Sequence, residues 1–364
     1  MFDSPTLIVN ETICRKNIQT MVEKCCELNV KFRPHFKTHQ SHEVGRWFRD
    51  CGVDRIAVSS VPMAEYFASD NWNDITIAFP FVKQQALKIN QLSSQVKLNL
   101  LVSSLDNAKA LSNLITSEVD VLIEIDSGQG RSGVMDNDHT GIERIIEVLL
   151  SKRHIHFCGF LTHAGHSYHA IKKDLNKLNT SALDPLKQLK ERWIQSFPYL
   201  TISYGDTPTS VVCSSFVGID ELRPGNFVFF DMQQASKGIC ITKDIAIAMA
   251  CPLVAVYPKQ SKAIIWGGAI HLSKDFYIDE RGQKSYGAIC TLNPNLTWSD
   301  PIEDLYIESL SQEHGVIRAK TPKAMAFIEE NDCLAILPAH SCLSVDSMRQ
   351  YWIARKGFVC IMDR

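Results

Sequence analysis

Twelve cysteines occur in the chain, yet none forms a Cys-x-x-Cys pair, which removes the commoner zinc modules and thioredoxin-type redox sites from consideration. No apolar run nears the roughly 20 residues that a membrane-spanning helix needs. No charge of one sign dominates either. Lys and Arg number 38 against 40 Asp and Glu, for a net charge of −2. No basic block interrupts that balance, which argues against nucleic acid and against an anionic membrane surface as partners. The opening residues, MFDSPTLIVN, lack a charged segment followed by a long apolar one, so no secretory signal is expected and a cytoplasmic location is. In that compartment Cys25, Cys158, Cys240, Cys251 and Cys290, each inside a strand-like or helix-like pattern, are expected to serve as small buried hydrophobes rather than disulfides. Internal repeats, low-complexity segments and Ser/Gly- or Pro-rich linkers are also missing, so any two halves should pack closely.

What is present is a long alternation. With 364 residues, 45% hydrophobic and 21% charged, the chain has ordinary globular composition and room for two domains. Strand-like runs at Thr6–Val9, Val30–Phe32, Arg55–Ser59, Ile75–Phe79, Leu98–Val102, Val119–Ile125, Phe157–Thr162, Thr201–Tyr204 and Asn226–Phe230 alternate with helical patterns. Regular β-then-α order means parallel strands, and about eight units fit a closed (β/α)8 barrel better than a doubly wound sheet. After Asp231 the runs Ile245–Val256, Lys262–Trp266, Tyr286–Leu292, Leu305–Ser309, Val316–Ala319, Cys333–Leu337 and Phe358–Met362 follow one another with no long helix between them. The expected fold is therefore α/β: a TIM-type barrel over residues 10–235, then a β-rich domain over 236–364 that also takes strand 1–9.

Unusual polar residues collect where the barrel strands end, which is where sites lie in this architecture. Arg33-Pro34-His35-Phe36-Lys37-Thr38-His39 places a lysine at the first such end. Desolvated there, an amine can become a nucleophile or base; in the plainer reading it is one more solvated basic residue. Asp126-Ser-Gly128-Gln-Gly130-Arg131-Ser-Gly133 offers close backbone approach and a guanidinium that can grip an oxyanion. Thr162-His163-Ala-Gly165-His166-Ser-Tyr168-His169 packs three histidines into seven residues without a common zinc spacing, so ring stacking is as good a reading as ligation. Tyr204-Gly205-Asp206-Thr207-Pro208 reads as a phosphate cradle or as a plain helix cap. Leu222-Arg223-Pro224-Gly225-Asn226 brings a further arginine and glycine. In the β-rich half, His340 and Cys342 stand two apart; in an extended segment both would face one side as two of the N/S ligands that zinc favours, against the plainer reading of a buried pair.

Taken together these motifs resemble the pyridoxal-phosphate (PLP) enzymes of the alanine-racemase fold, more closely the branch of D-threonine aldolases and D-serine dehydratases, over nearly the whole chain. The resemblance implies that Lys37 is the Schiff-base and catalytic lysine. Arg131 would meet the cofactor's 3-oxygen, His163 would stack on its ring with Tyr168 in the same stretch, and Tyr204, Gly205, Thr207, Gly225 and Asn226 would lie at the phosphate. Arg223 corresponds to the arginine that faces the pyridine nitrogen in alanine racemases. His340 and Cys342 match the pair that holds zinc in eukaryotic-type D-serine dehydratases, whereas the aldolases tend toward His-x-Asp and another divalent ion. A thiolate ligand suits zinc. The resemblance thus implies a PLP- and zinc-dependent lyase on a small D-β-hydroxy-amino acid, working as a homodimer with a shared active site. Dehydratase-type elimination leads; a D-threonine or 3-hydroxy-D-aspartate aldolase, an amino-acid racemase and a non-catalytic PLP-binding protein are the alternatives.

Overall fold

The structure is a computed structural model that describes residues 2–363, and the chain divides into two compact units. One comprises Thr20–Lys37 and Phe48–Gly225; the other comprises residues 2–19, Thr38–Trp47 and Asn226–Asp363. Elements are numbered along the chain. Strand β1 (Thr6–Val9) leads into helix α1 (Glu11–Glu27), and β2 (Lys31–Phe32) is followed by α2 (His42–Asp50). The alternation continues as β3 (Ile56–Val58), α3 (Val61–Ala68), β4 (Asp74–Pro80), α4 (Ala86–Ser93), β5 (Lys97–Val102), α5 (Leu105–Leu114) and β6 (Val119–Asp126). Next come a short β7 (Val134–Met135), α6 (His139–Leu150), β8 (Ile155–Thr162), α7 (Leu175–Trp193), β9 (Thr201–Tyr204), α8 (Thr207–Val212) and β10 (Glu221–Leu222).

Eight of these strands pair in the order β2-β10-β9-β8-β6-β5-β4-β3, all in parallel, and a parallel bridge between His35 and Ala57 closes the ring into the expected (β/α)8 barrel. Strands buried on both faces explain the apolar runs: Val121, Ile123, Phe160 and Ile202 are fully buried. Several of the barrel helices begin on a polar cap. Ser60 accepts from Met63 N–H, Ser104 from Asn107 N–H and Asp138 from Gly141 N–H, so polar groups gather at the carboxyl ends of the strands.

Arg33 belongs to the opposite end of the barrel. Its Nε donates to Glu221 Oε2 and its Nη1 to Asp74 Oδ1, each at 2.7 Å, and the side chain is buried. The arginine of the lysine motif is therefore a strut rather than a ligand. Replacing Arg33 by Ala leaves two carboxylates facing each other without their shared cation. Chemical denaturation of this variant is expected to show a loss of about 3–5 kcal/mol.

The second unit is built on a sheet. It contains α9 (Met232–Ala235), β11 (Ile247–Tyr257), β12 (Lys262–Trp266), α10 (Ala269–Leu272), β13 (Tyr277–Ile278), β14 (Lys284–Ser285), β15 (Gly287–Thr291) and β16 (Leu305–Leu310). It ends with β17 (His314–Ala319), α11 (Pro322–Glu329), β18 (Cys333–Pro338), α12 (Ser341–Met348), β19 (Gln350–Ile353) and β20 (Gly357–Cys360). The strand order is β16-β17-β12-β11-β1-β19-β20, with β18 joining β11 to β15. The amino-terminal β1 runs antiparallel to β11, Thr6 opposite Ala250 and Val9 opposite Ile247. Ala246 to Cys251 is buried without exception, which is why that stretch reads as an unbroken apolar run.

One strand expectation is corrected here. Asn226–Phe230 is no strand: it forms a 3-10 turn over Asn226–Val228, with Asn226 C=O accepting from both Phe229 and Phe230 N–H. Pro224-Gly225 stops the extended run, and the eighth barrel strand is Glu221–Leu222. Among the described residues no helix is long and apolar enough to cross a membrane. Cys25, Cys251 and Cys290 are buried as expected, while Cys158 and Cys240 are half-buried.

Candidate active site

In the barrel unit, Lys37 owes its position to the residue before it. Phe36 is fully buried, with ring centroids 5.0 Å from Phe48, 4.9 Å from Phe67 and 5.0 Å from Trp72. That aromatic anchor fixes the backbone one residue short of Lys37, whose N–H donates to His35 Nδ1 at 3.3 Å and whose side chain is exposed. His163, after β8, donates from Nδ1 to Gly205 C=O at 2.5 Å. Burial, with the nearby charges of Lys37, Arg131 and Arg223, holds its pKa down to about 3. The ring is thus neutral and its tautomer fixed. Tyr168 lies 6.1 Å away between ring centroids, and its hydroxyl accepts from Thr207 N–H at 3.2 Å.

After β9 the chain turns sharply at Gly205, where a Cβ would come 2.9 Å from Arg223 Cβ. Asp206 then caps α8, accepting from Thr209 N–H at 2.7 Å and from the Ser167 hydroxyl at 2.7 Å. Burial raises the Asp206 pKa. Tyr204 is buried, and its hydroxyl accepts from Thr209 Oγ1 at 3.3 Å. The hydroxyls of Thr207 and Ser210, both buried, have no hydrogen-bond partner. Buried polar groups are nearly always satisfied. Two orphan donors beside a glycine turn are a cradle that an anion would complete, so the residues present fit the phosphate end of PLP.

Arg223 Nε donates to Ser203 Oγ and its Nη2 to Thr162 C=O, each at 2.6 Å; burial lowers its pKa to about 10 and leaves it cationic. Gly225 follows two residues on. Arg131 is half-exposed, with Nη2 4.0 Å from Glu124 Oε1. Glu124 takes a hydrogen bond from Ser132 Oγ at 3.0 Å, yet its other oxygen is buried without a partner and burial raises its pKa.

The sheet unit holds the second constellation. His340 does not lie in an extended run with Cys342: it is the N-cap of α12, in β-region dihedrals, and Cys342 sits in the first helical turn. The pair therefore meets through a helix cap and not, as expected, along one face of an extended strand. Cap geometry brings the two together instead, close enough for a hydrogen bond between imidazole and thiol. Asp231 organises the turn, its Oδ2 accepting from Ser341 N–H at 3.1 Å and from Asn226 Nδ2 at 2.7 Å. Asn226 also reaches Ser341 Oγ at 2.9 Å and Cys342 Sγ at 3.8 Å, so its side chain supports this turn. Thr38, next in sequence to Lys37, places its hydroxyl 3.3 Å from Cys342 Sγ. His340 Nδ1 lies 2.6 Å from Asp275 Oδ2. Burial opposes charging His340, but Asp275, Cys342 and Asp231 outweigh it and raise the pKa to about 11. An imidazole and a thiol side by side suit zinc. Among the described residues no cluster of three or more His, Cys, Asp or Glu side chains that could hold a metal is present, so His340 and Cys342 are two candidate donors without a third.

Sequence reasoning missed Asp206, Asp231, Asp275, Thr38 and Glu124. Asp206 alone carried a signal, since Asp before Thr-Pro is a helix start.

A closed parallel barrel with its polar groups at the strand carboxyl ends, followed by a sheet unit in the same chain, defines an enzyme of the alanine-racemase fold. Residues 9–233 match the alanine racemase N-terminal domain, and the chain belongs to that family. Residues 246–354 match the domain described as "Putative serine dehydratase domain". The chain is 28% identical over 379 residues to the D-threo-3-hydroxyaspartate dehydratase of Delftia sp. (strain HT23), covering 100% of this chain and 97% of that protein. It is 25% identical over 382 residues to the D-serine dehydratase of Dictyostelium discoideum, covering 96% and 93% respectively. The solved structure of the Delftia enzyme superposes with a TM-score of 0.90 at 25% identity, over 100% of this chain and 99% of that one. A cysteine-to-alanine variant of a D-threo-3-hydroxyaspartate dehydratase, described as being in the metal-free form, superposes with a TM-score of 0.89 at 26% identity, over 100% and 98%.

Proposed function

We propose that this protein is a PLP- and zinc-dependent lyase that removes the β-hydroxyl of a small D-β-hydroxy-amino acid and yields a 2-oxo acid and ammonia. The observation that carries this reading is the His340–Cys342 pair, two metal donors set in one turn of a chain whose barrel also ends in Lys37 and the Thr207–Ser210 cradle. The dehydratase relatives, and the metal-free form described for one of them after loss of a cysteine, support it.

In this reading residues 10–235 hold the cofactor, and 236–364 with strand 1–9 carry the metal pair. The cofactor supplies an electron sink for the carbanion left when Cα loses its proton. A zinc ion supplies Lewis acidity toward the β-hydroxyl, a poor leaving group. Lys37 anchors the cofactor and is the base that takes the Cα proton. Arg131 donates to the cofactor's 3-oxygen, and neutral His163 offers a flat, uncharged face to the ring. Gly205, Thr207 and Gly225 would receive the phosphate, with Tyr168 and Tyr204 bracing the turn, and Arg223 would face the pyridine side; the Asn226 side chain is held instead by Asp231 and Ser341. The Cα–H and Cβ–O bonds break, water departs, and water adds back to the resulting imino acid to free ammonia. The reading includes a cytoplasmic homodimer, whose interface would cover some of the exposed apolar side chains of the sheet unit, among them Ile270, Phe276, Ile278 and Leu343.

D-Threonine tests it, because elimination and retro-aldol cleavage give different products from the same molecule. Protein loaded with PLP and zinc is expected to release 2-oxobutyrate and ammonia. Glycine with acetaldehyde would mean cleavage of the Cα–Cβ bond and would overturn the elimination reading.

A further inference from the structure

We infer that Asp275 is the positioning residue of the metal pair, fixing the tautomer and ring orientation of His340 so that Nε2 faces the metal beside Cys342. The inference rests on reading His340 and Cys342 as metal ligands. A carboxylate can only accept, so with Asp275 Oδ2 2.6 Å away the His340 Nδ1 must carry the proton. In the neutral ring the lone pair then lies on Nε2, the nitrogen left for coordination. Partners of this kind orient metal-binding histidines and raise their basicity.

A chance surface pair would not need the scaffolding found around Asp275. Ser273, two residues before it, has φ 69° and ψ 176°, a conformation that side-chain-bearing residues rarely adopt. Its hydroxyl accepts from Asp275 N–H at 3.2 Å. Lys274 Nζ donates to Leu310 C=O at 2.9 Å, which ties the loop to the sheet. Gln233 then clamps both sides of the pair. Its Nε2 donates to Phe276 C=O at 3.0 Å, and its backbone N–H donates to Ala339 C=O at 3.1 Å. The residue after Asp275 and the residue before His340 are thereby held by one glutamine. Such bracing fixes a distance between two side chains, which is what a ligand and its orienting carboxylate require.

The test is zinc affinity, measured by titrating metal-free protein against a chromophoric chelator, alongside the thermal midpoint of the same metal-free samples. Asp275→Asn is nearly isosteric, but its amide can also donate and so no longer dictates the tautomer. It is expected to weaken zinc binding about 10–100-fold and to lower the metal-free thermal midpoint only by the loss of the Asp275–His340 pair itself. Asp275→Glu keeps the carboxylate and is expected to recover most of the affinity. Equal zinc affinity in wild type and Asp275→Asn overturns the inference while the metal reading stands. Absence of zinc binding by the unsubstituted protein overturns the metal reading itself, and the positioning role with it. Should Asp275→Asn not fold, Asp275→Glu decides: near-native affinity supports the carboxylate's role, and affinity no better than that of Asp275→Ser overturns it.

Discussion

Lys37→Ala is expected to abolish both turnover and the visible absorption band of the bound cofactor. Two losses combine. Removing a general base at Cα costs about 10²–10⁴ in rate. Removing the amine that anchors the cofactor takes away the covalent hold as well, so the combined effect should leave no rate above background. Stability should barely change, because the Lys37 side chain is exposed and the local backbone is held by Phe36 in its ring of Phe48, Phe67 and Trp72. The cradle formed by Gly205, Thr207 and Ser210 stays intact, so phosphate should still compete for PLP binding in the variant. Absorption spectra with an activity assay check the prediction. A retained band would show that another group holds the cofactor and would remove Lys37 from its role.

How much of this could be read in advance depended on how local the cause was. Barrel strands announce themselves because burial on both faces favours apolar runs, as at the Val121–Ile123 and Phe157–Leu161 stretches within β6 and β8. Lys37 stood out as a candidate because Pro34 and the flanking histidines set it apart in its own stretch. Asn226–Phe230 misled because its aromatic and β-branched residues suit a strand, while Pro224-Gly225 and the paired hydrogen bonds to Asn226 C=O make it a turn. The geometry of His340 and Cys342 was out of reach for another reason. Their helix begins where it does because Asp231, 110 residues earlier, takes the Ser341 N–H. Asp275 is likewise 65 residues from the histidine it meets, and Glu221 lies 188 residues from Arg33. No spacing rule reports contacts of that range. Residue chemistry pointed to His340 and Cys342 as candidate donors, and only the folded chain shows what holds their side chains.

Cys342→Ala is expected to strip the protein of zinc and of activity while leaving PLP in place. The reasoning turns on ligand number. A site with two protein donors that loses one keeps a single imidazole, which cannot hold a divalent ion against water and buffer. Losing even an orienting partner outside the ligand set costs about 10–100-fold in metal affinity, so loss of a ligand itself should exceed about 100-fold. The fold should survive the change. Cys342 is half-buried in the first turn of α12, and Asp231 still holds Ser341 N–H there. The groups assigned to the cofactor, Lys37, His163 and the Thr207–Ser210 cradle, are untouched by the substitution. Without Lewis acidity at the β-hydroxyl, the Cβ–O bond should break slowly even though the Cα proton can still be removed. Exchange of that proton with deuterated solvent should therefore outlast 2-oxo acid formation. Metal analysis, cofactor absorption and the exchange rate measured on one preparation separate the two functions. Zinc content equal to that of the unsubstituted protein would mean that the ion is held elsewhere, and the elimination mechanism would need a different acid.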